Sequence, residues 1–170
     1  MKNSTKTAVI TGAGSGIGKA TALLFAQEGT NIVVSDINDE AAKETVLQIN
    51  YKGGNAVFIH CDVADQQQVN HLFEKTMEQF GRLDFAVNNA GIGGGYQPAQ
   101  HYSLSEYDKV IAVNQTGVFF CMQAEMKVML EQKFGAIVNV ASLAGLKGLP
   151  NAIAYTASKH AVLGMTKTAA

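Results

Sequence analysis

Thr7-Ala8-Val9-Ile10-Thr11-Gly12-Ala13-Gly14-Ser15-Gly16-Ile17-Gly18 reads as a short buried strand running straight into a glycine-rich turn and the first turn of a helix. The run through Ile10 is apolar and flanked by polar residues, as suits a parallel strand covered on both faces. Past the turn, Ala20, Leu23, Leu24 and Ala26 recur at helical spacing until Gly29 stops the helix. A glycine turn that opens a helix presents free backbone N–H groups and the positive end of the helix dipole, which together attract phosphate. Gly12, Gly14, Gly16 and Gly18 also let the backbone approach a ligand closely. The Gly-x-Gly-x-x-Gly fingerprint is not literally present, because Ile17 stands where its last glycine belongs. A Walker A loop fails too, since Lys19 is followed by Ala20 in place of serine or threonine.

The next strand, Asn31-Ile32-Val33-Val34-Ser35, ends at Asp36, 18 residues after Gly18 (36 − 18). A carboxylate about 20 residues beyond the glycine turn is placed to accept hydrogen bonds from an adenosine ribose. Strand, glycine turn, helix, strand and acid in that order point to dinucleotide binding. A carboxylate at Asp36 repels a 2′-phosphate and neither Ser15 nor Ile37 offsets it with positive charge, so NAD is favoured over NADP.

Further along, strands and helices alternate. Asn38-Asp39-Glu40 caps a helix that ends at Gly53-Gly54, and Ala56 to His60 is a third strand followed by Cys61-Asp62-Val63. Asp65 with Gln68 forms a capping-box pattern for a helix ending at Gly81. Leu83 to Val87 is a fourth strand opening into Asn88-Asn89-Ala90-Gly91, and Gly135 to Ala141 a fifth, with Ser142 at its end. Ser103-Leu104-Ser105-Glu106 starts a helical region reaching about Lys133, with Asn114 in its interior. This alternation predicts an α/β, doubly wound parallel sheet in one domain over residues 1–170. Ligands of such sheets lie outside the strand C-termini, which puts Asn88 to Gly91 beside a cofactor.

Composition bounds the function. Net charge is −1, and Arg82 is the only arginine among 13 basic side chains, so neither nucleic acid nor an anionic membrane surface is an expected partner. Lys2 and Lys6 precede an apolar run broken at Thr11-Gly12, too short for a signal peptide or a span. Cys61 and Cys121 lack metal-ligand spacing and fit a reducing, cytoplasmic setting; His60, His71, His101 and His160 are scattered, and no metal is expected.

Near the end stand Tyr155 and Lys159, four apart and therefore on one helical face. An ammonium held beside a phenol favours the phenolate, giving an acid/base group. With 5 tyrosines and 12 lysines in 170 residues, that spacing alone is weak.

The set Thr11 to Gly18, Asp36, Asp62-Val63, Asn88 to Gly91, Asn114, Ser142 and Tyr155-x-x-x-Lys159 resembles the short-chain dehydrogenase/reductase family, in the branch with a Thr-Gly-x-x-x-Gly-x-Gly loop. The resemblance implies a Rossmann-like sheet ordered 3-2-1-4-5 and interconversion of a secondary alcohol and a ketone by hydride transfer with NAD. It implies Tyr155 as acid/base, Lys159 and Ser142 as its partners, and Asn114 as holder of a water serving Lys159. Gly12, Ser15, Gly16, Ile17, Gly18, Asp36, Ile37, Asp62, Val63, Asn89, Ala90 and Gly91, with Tyr155 and Lys159, would bind the cofactor. The family is commonly homodimeric or homotetrameric, takes small-molecule substrates, and continues beyond its catalytic helix with further strands and helices. Here 11 residues follow Lys159 (170 − 159), so a fragment of a longer chain is expected. An NADPH-dependent ketoreductase and an NAD-binding chain without turnover are the alternatives. The loops 93–98 and 143–150, with Leu143, Leu146 and Leu149, suggest an apolar substrate pocket.

Overall fold

The computed structural model describes residues 5–170; residues 1–4, and with them Lys2, lie outside the described part. Five parallel strands, β1 (Thr7–Thr11), β2 (Asn31–Asp36), β3 (Asn55–His60), β4 (Phe85–Asn88) and β5 (Ala136–Asn139), form one sheet in the order β3-β2-β1-β4-β5. The expected order 3-2-1-4-5 is what the chain adopts. Six helices connect and cover the strands: α1 (Gly16–Gln27), α2 (Asp39–Tyr51), α3 (Gln66–Phe80), α4 (Leu104–Ile111), α5 (Gly117–Gln132) and α6 (Ile153–Ala169).

Each face of the sheet has its own core. Ile10, Ile32 and Val34 meet Ala22 of α1 and Ala42 and Ile49 of α2 on one side. Val9, Val33 and Ala86 meet Val69, Leu72 and Phe73 of α3 and Cys121 and Met129 of α5 on the other. Adjacent strand residues thus point to opposite layers, and because both layers are covered, β1 and β2 read as continuous apolar runs. On the α5 side, Val118 and Met122 also pack against Val162 of α6, which seats the last helix.

The caps read from the sequence are present with one rearrangement. Asn38 accepts the Ala41 N–H, and Asp65 accepts those of Gln67 and Gln68. Gln68 Oε1, however, accepts from the N–H of Asp62 at 2.9 Å and so also fastens the turn after β3. Two strands are shifted from expectation. Leu83 is bracketed by the Gln132 amide, which accepts from its N–H and donates to its carbonyl, so the β4 ladder starts at Phe85. The β5 ladder ends at Asn139, because the Val140 carbonyl is taken by a side chain described below. The helical region after Ser103 is interrupted by a π turn over Ala112–Thr116.

Asp84, 1% exposed at the side chain, joins the N-terminal ends of β1 and β4. It accepts from the Thr7 N–H at 2.8 Å and from Arg82, whose Nε lies 2.6 Å away and whose guanidinium is raised in pKa by that bond. Asp84→Ala orphans a buried N–H, and chemical denaturation should show a loss of about 2 kcal/mol, with a smaller loss for Asp84→Asn. Gly164 faces open space on α6, so Gly164→Ala should instead gain up to about 1 kcal/mol in the same measurement.

Candidate active site

The C-terminal ends of β1, β2, β4 and β5 converge on one edge of the sheet, and the loops leaving them are bonded to one another. Thr11 Oγ1 accepts from the backbone N–H groups of Asn89 and Ala90, both at 3.1 Å, and donates to the Val87 carbonyl. In return Asn89 Nδ2 donates to the carbonyls of Thr11 and Gly12, at 3.0 and 3.1 Å. This leaves no room at the helix start: a Cβ on Gly18 would lie 2.2 Å from the Gly12 oxygen and 2.5 Å from Asn89 Nδ2. Gly12 itself has φ +63, a left-handed conformation that favours glycine.

The turn so fixed suits a dinucleotide. Ser15 precedes α1 without capping it through its side chain, and no acidic residue occupies the first helical turn. The opening N–H groups of α1 therefore face outward at a positive helix end, the environment a pyrophosphate takes. Gly16 has open space where a Cβ would be. Asp36 closes β2, oriented by hydrogen bonds from the Gly14 and Asn38 N–H groups, both 2.9 Å long. Ile17 and Ile37 are exposed apolar side chains on the same edge, 66% and 64% accessible. Asp62 is held by Gln68 and by the Ala64 N–H, and Val63 is buried against Gly117.

The second half of the site comes from the π turn, β5 and α6. Asn114 is fully buried; its Oδ1 accepts from the Ile92 N–H at 2.8 Å, while its Nδ2 donates to the Ile92 carbonyl at 2.8 Å and to Ser158 Oγ at 3.3 Å. Both amide hydrogens are thus engaged by the loop and α6. Gly91 lies beside this group: a Cβ there would sit 3.2 Å from Asn114 Oδ1 and 3.8 Å from Lys159 Nζ. Lys159, 5% exposed, donates from Nζ to the Val140 carbonyl at 2.7 Å, and burial lowers its pKa. The same nitrogen stands 5.7 Å from the centroid of the Tyr155 ring. Ser142 Oγ accepts from the Ala144 N–H at 3.1 Å and opens a short 3-10 turn, Leu143–Gly145.

The structure therefore gathers Gly12 to Gly18, Asp36, Ile37, Asn89 and Ala90 at one end of the edge and Gly91, Asn114, Tyr155 and Lys159 at the other, with Ser142 two residues past the Val140 carbonyl that holds Lys159. One supporting side chain escapes the sequence reading: Glu125, which accepts from Asn88 at the end of β4 and is marked in the sequence only as a charge on an otherwise apolar helix face. The carbonyls of Val140 and Ile92 leave no trace in a sequence, since any residue supplies one.

A doubly wound parallel sheet in the order 3-2-1-4-5, with a glycine-rich turn after its first strand, defines a Rossmann-like fold. The comparisons agree: the short chain dehydrogenase family model matches residues 6–170, and the chain belongs to that family. It is similar to a cyclohexanol dehydrogenase of Acinetobacter sp. (strain SE19), 46% identical over 99% of this chain and 67% of the relative. A 3beta-hydroxysteroid dehydrogenase of Mediterraneibacter gnavus is 43% identical over 97% of this chain and 59% of its own length. Among solved structures, NAD+-bound xylitol dehydrogenase superposes with a TM-score of 0.95 at 40% identity, covering 99% of this chain and 65% of that one. The chain thus spans about two thirds or less of the relatives it matches.

The Gly18 contacts give a sharp expectation. Gly18→Ala should weaken dinucleotide binding at least tenfold by calorimetric titration, because the displaced atoms are backbone and the Asn89 amide; unaltered affinity would show that the turn can relax.

Proposed function

We propose that the site serves an NAD-dependent oxidation of a secondary alcohol, or the reverse reduction of a ketone, with Tyr155 as the acid/base. The observation that carries this reading is Lys159: a buried amine fixed by the Val140 carbonyl and standing over the Tyr155 ring. The resemblance to alcohol and steroid dehydrogenases supports the reaction class.

The turn from Gly12 to Gly18 would hold the pyrophosphate, Asp36 the adenosine ribose, and Ile37, Asp62 and Val63 the adenine. Asn89, Ala90 and Gly91 would line the path toward the nicotinamide, whose ribose Tyr155 and Lys159 would reach. When bound, the nicotinamide supplies the acceptor or donor of hydride. The chain's own residues handle the substrate and its proton. Ser142 orients the substrate oxygen through its hydroxyl, which can donate while its lone pairs accept the Ala144 N–H. Tyr155 takes the hydroxyl proton in oxidation and returns it in reduction. Lys159, itself buried, provides positive charge where negative charge develops on the Tyr155 oxygen. Asn114 keeps the Ile92 backbone against α6 and so fixes the floor of the site.

Asp36 supports NAD as the cofactor. Its carboxylate already accepts two backbone N–H groups, which hold it in place. A 2′-phosphate there would meet that charge.

Tyr155→Phe should cut turnover about 10²–10⁴-fold while leaving dinucleotide affinity within twofold. Steady-state rates and a binding titration on the same protein check this, and near-normal turnover rejects the proton role. Asp36→Ala should lower the NAD:NADP preference by about tenfold or more, the equivalent of ~1.4 kcal/mol, read as a ratio of kcat/KM values; an unchanged ratio would show that Asp36 does not read the ribose.

A further inference from the structure

Inside the sheet, under the site, a line of polar side chains runs from α5 to α6. Glu125, 0% exposed, shares the inner face of α5 with Cys121 and Met129. Its Oε2 accepts from Asn88 Nδ2 at 3.0 Å, and the same nitrogen donates to Asn139 Oδ1 at 2.9 Å. Asn139 Nδ2 donates to Thr166 Oγ1 at 2.9 Å, and that hydroxyl donates to the Val162 carbonyl. The strand members each stand one residue before a part of the site. Asn88 precedes Asn89, and its carbonyl accepts the Val140 N–H at 2.9 Å; Asn139 precedes Val140, whose carbonyl holds Lys159.

Two buried oxygens in this line lack a partner, Glu125 Oε1 and Asn88 Oδ1, and they belong to side chains already bonded to each other. A carboxylate has no hydrogen for Asn88 Oδ1. A carboxylic acid has one, and that single proton satisfies both oxygens.

We propose that Glu125 is held as a neutral carboxylic acid, donating to Asn88 Oδ1 while accepting from Asn88 Nδ2, and that this two-point pair positions the ends of β4 and β5 beneath Lys159. Burial agrees with the assignment: desolvation pushes the Glu125 carboxyl up to about 8, against which only the Asn88 bond pulls. The other titratable groups nearby are Cys121 on α5 and Cys61 after β3, both pushed up by burial and neutral. From α3 the neighbouring core residues are Val69, Leu72 and Phe73, and β5 and α6 contribute the uncharged Asn139 and Thr166. The positioning half of the proposal rests on the role given to Lys159 above; the protonation half does not.

The pH dependence has a definite sign. The folded protein keeps this proton up to about pH 8, whereas an unfolded chain releases it near the ordinary value of 4.5. Across that window the native state binds more protons, so this group makes stability fall as pH rises, levelling off above about 8.

Glu125→Gln replaces the donor and acceptor without the ionisable proton, and Glu125→Leu removes both. Infrared difference spectra of the wild type against Glu125→Gln at pH 7 should contain a protonated carboxylic acid C=O band that bleaches above pH 8. The Gln variant should keep kcat at pH 7, match the wild-type melting temperature near pH 4 and exceed it at pH 7, having lost Glu125's contribution to the decline in stability. The Leu variant should lower kcat at least tenfold, with a smaller change in KM for NAD, and Gln should rescue it. A carboxylate band at pH 7, or a Gln variant that melts well below the wild type there, overturns the neutral acid. A folded Leu variant with normal kcat overturns the positioning role while leaving the acid intact. Failure of the Tyr155 proton role would leave the infrared band untouched, so the two readings fail separately.

Discussion

One hydroxyl, Thr11 Oγ1, holds together the two loops on which the site depends. It receives N–H groups from Asn89 and Ala90 while the Asn89 amide answers with bonds to the Thr11 and Gly12 carbonyls. Parallel strands end with their last carbonyls and the next loop's N–H groups pointing into space, and something must satisfy them. Here the loops after β1 and β4 satisfy each other. The result is a turn so closely packed that Gly18 has no space for one more carbon, and this fixes where the start of α1 points. The direction of the opening N–H groups of α1 then follows from backbone geometry.

The far half of the site is built on a different principle. Asn114, Lys159 and Ser158 are buried polar groups whose partners are mostly main-chain atoms: Ile92 for the asparagine, Val140 for the lysine and Tyr155 for the serine. Burying an amine costs solvation, and the lowered pKa of Lys159 is the mark of that cost. The carbonyl at 2.7 Å recovers part of it and sets the direction of the side chain. Rigid backbone thus does for Lys159 what a carboxylate partner would otherwise do, without neutralising its charge.

How much of this could be read from the chain itself differs by level. Layer assignment follows from apolar runs alternating with amphipathic stretches, because Val9 and Ile10, or Val33 and Val34, must each find a separate covered face, whereas the strand order rests on the family resemblance. Asp36 and the glycine turn were legible because their spacing reflects the length of one strand and one helix. Boundaries were less so: Gln132 reaches from the end of α5 to bracket Leu83, 49 positions back, and no local pattern announces it. Asn114 was recognisable as an anomaly in a helix, but its answer lies in a π turn and in Ile92, a contact between segments 22 residues apart. Side chains chosen for long-range partners look arbitrary until the fold brings those partners in.

The loop after β4 and the approach to α6 are stitched at one point: the Gln97 N–H donates to the carbonyl of Asn151 at 2.8 Å, and Asn151 holds a left-handed φ of 63. These two segments lead into α4 and α6, with Leu149 and Ile153 exposed beside the second. They therefore behave as one graftable unit. A transplant of either loop alone from a relative with another substrate would arrive without its stitch, whereas a paired exchange carries the bond with it.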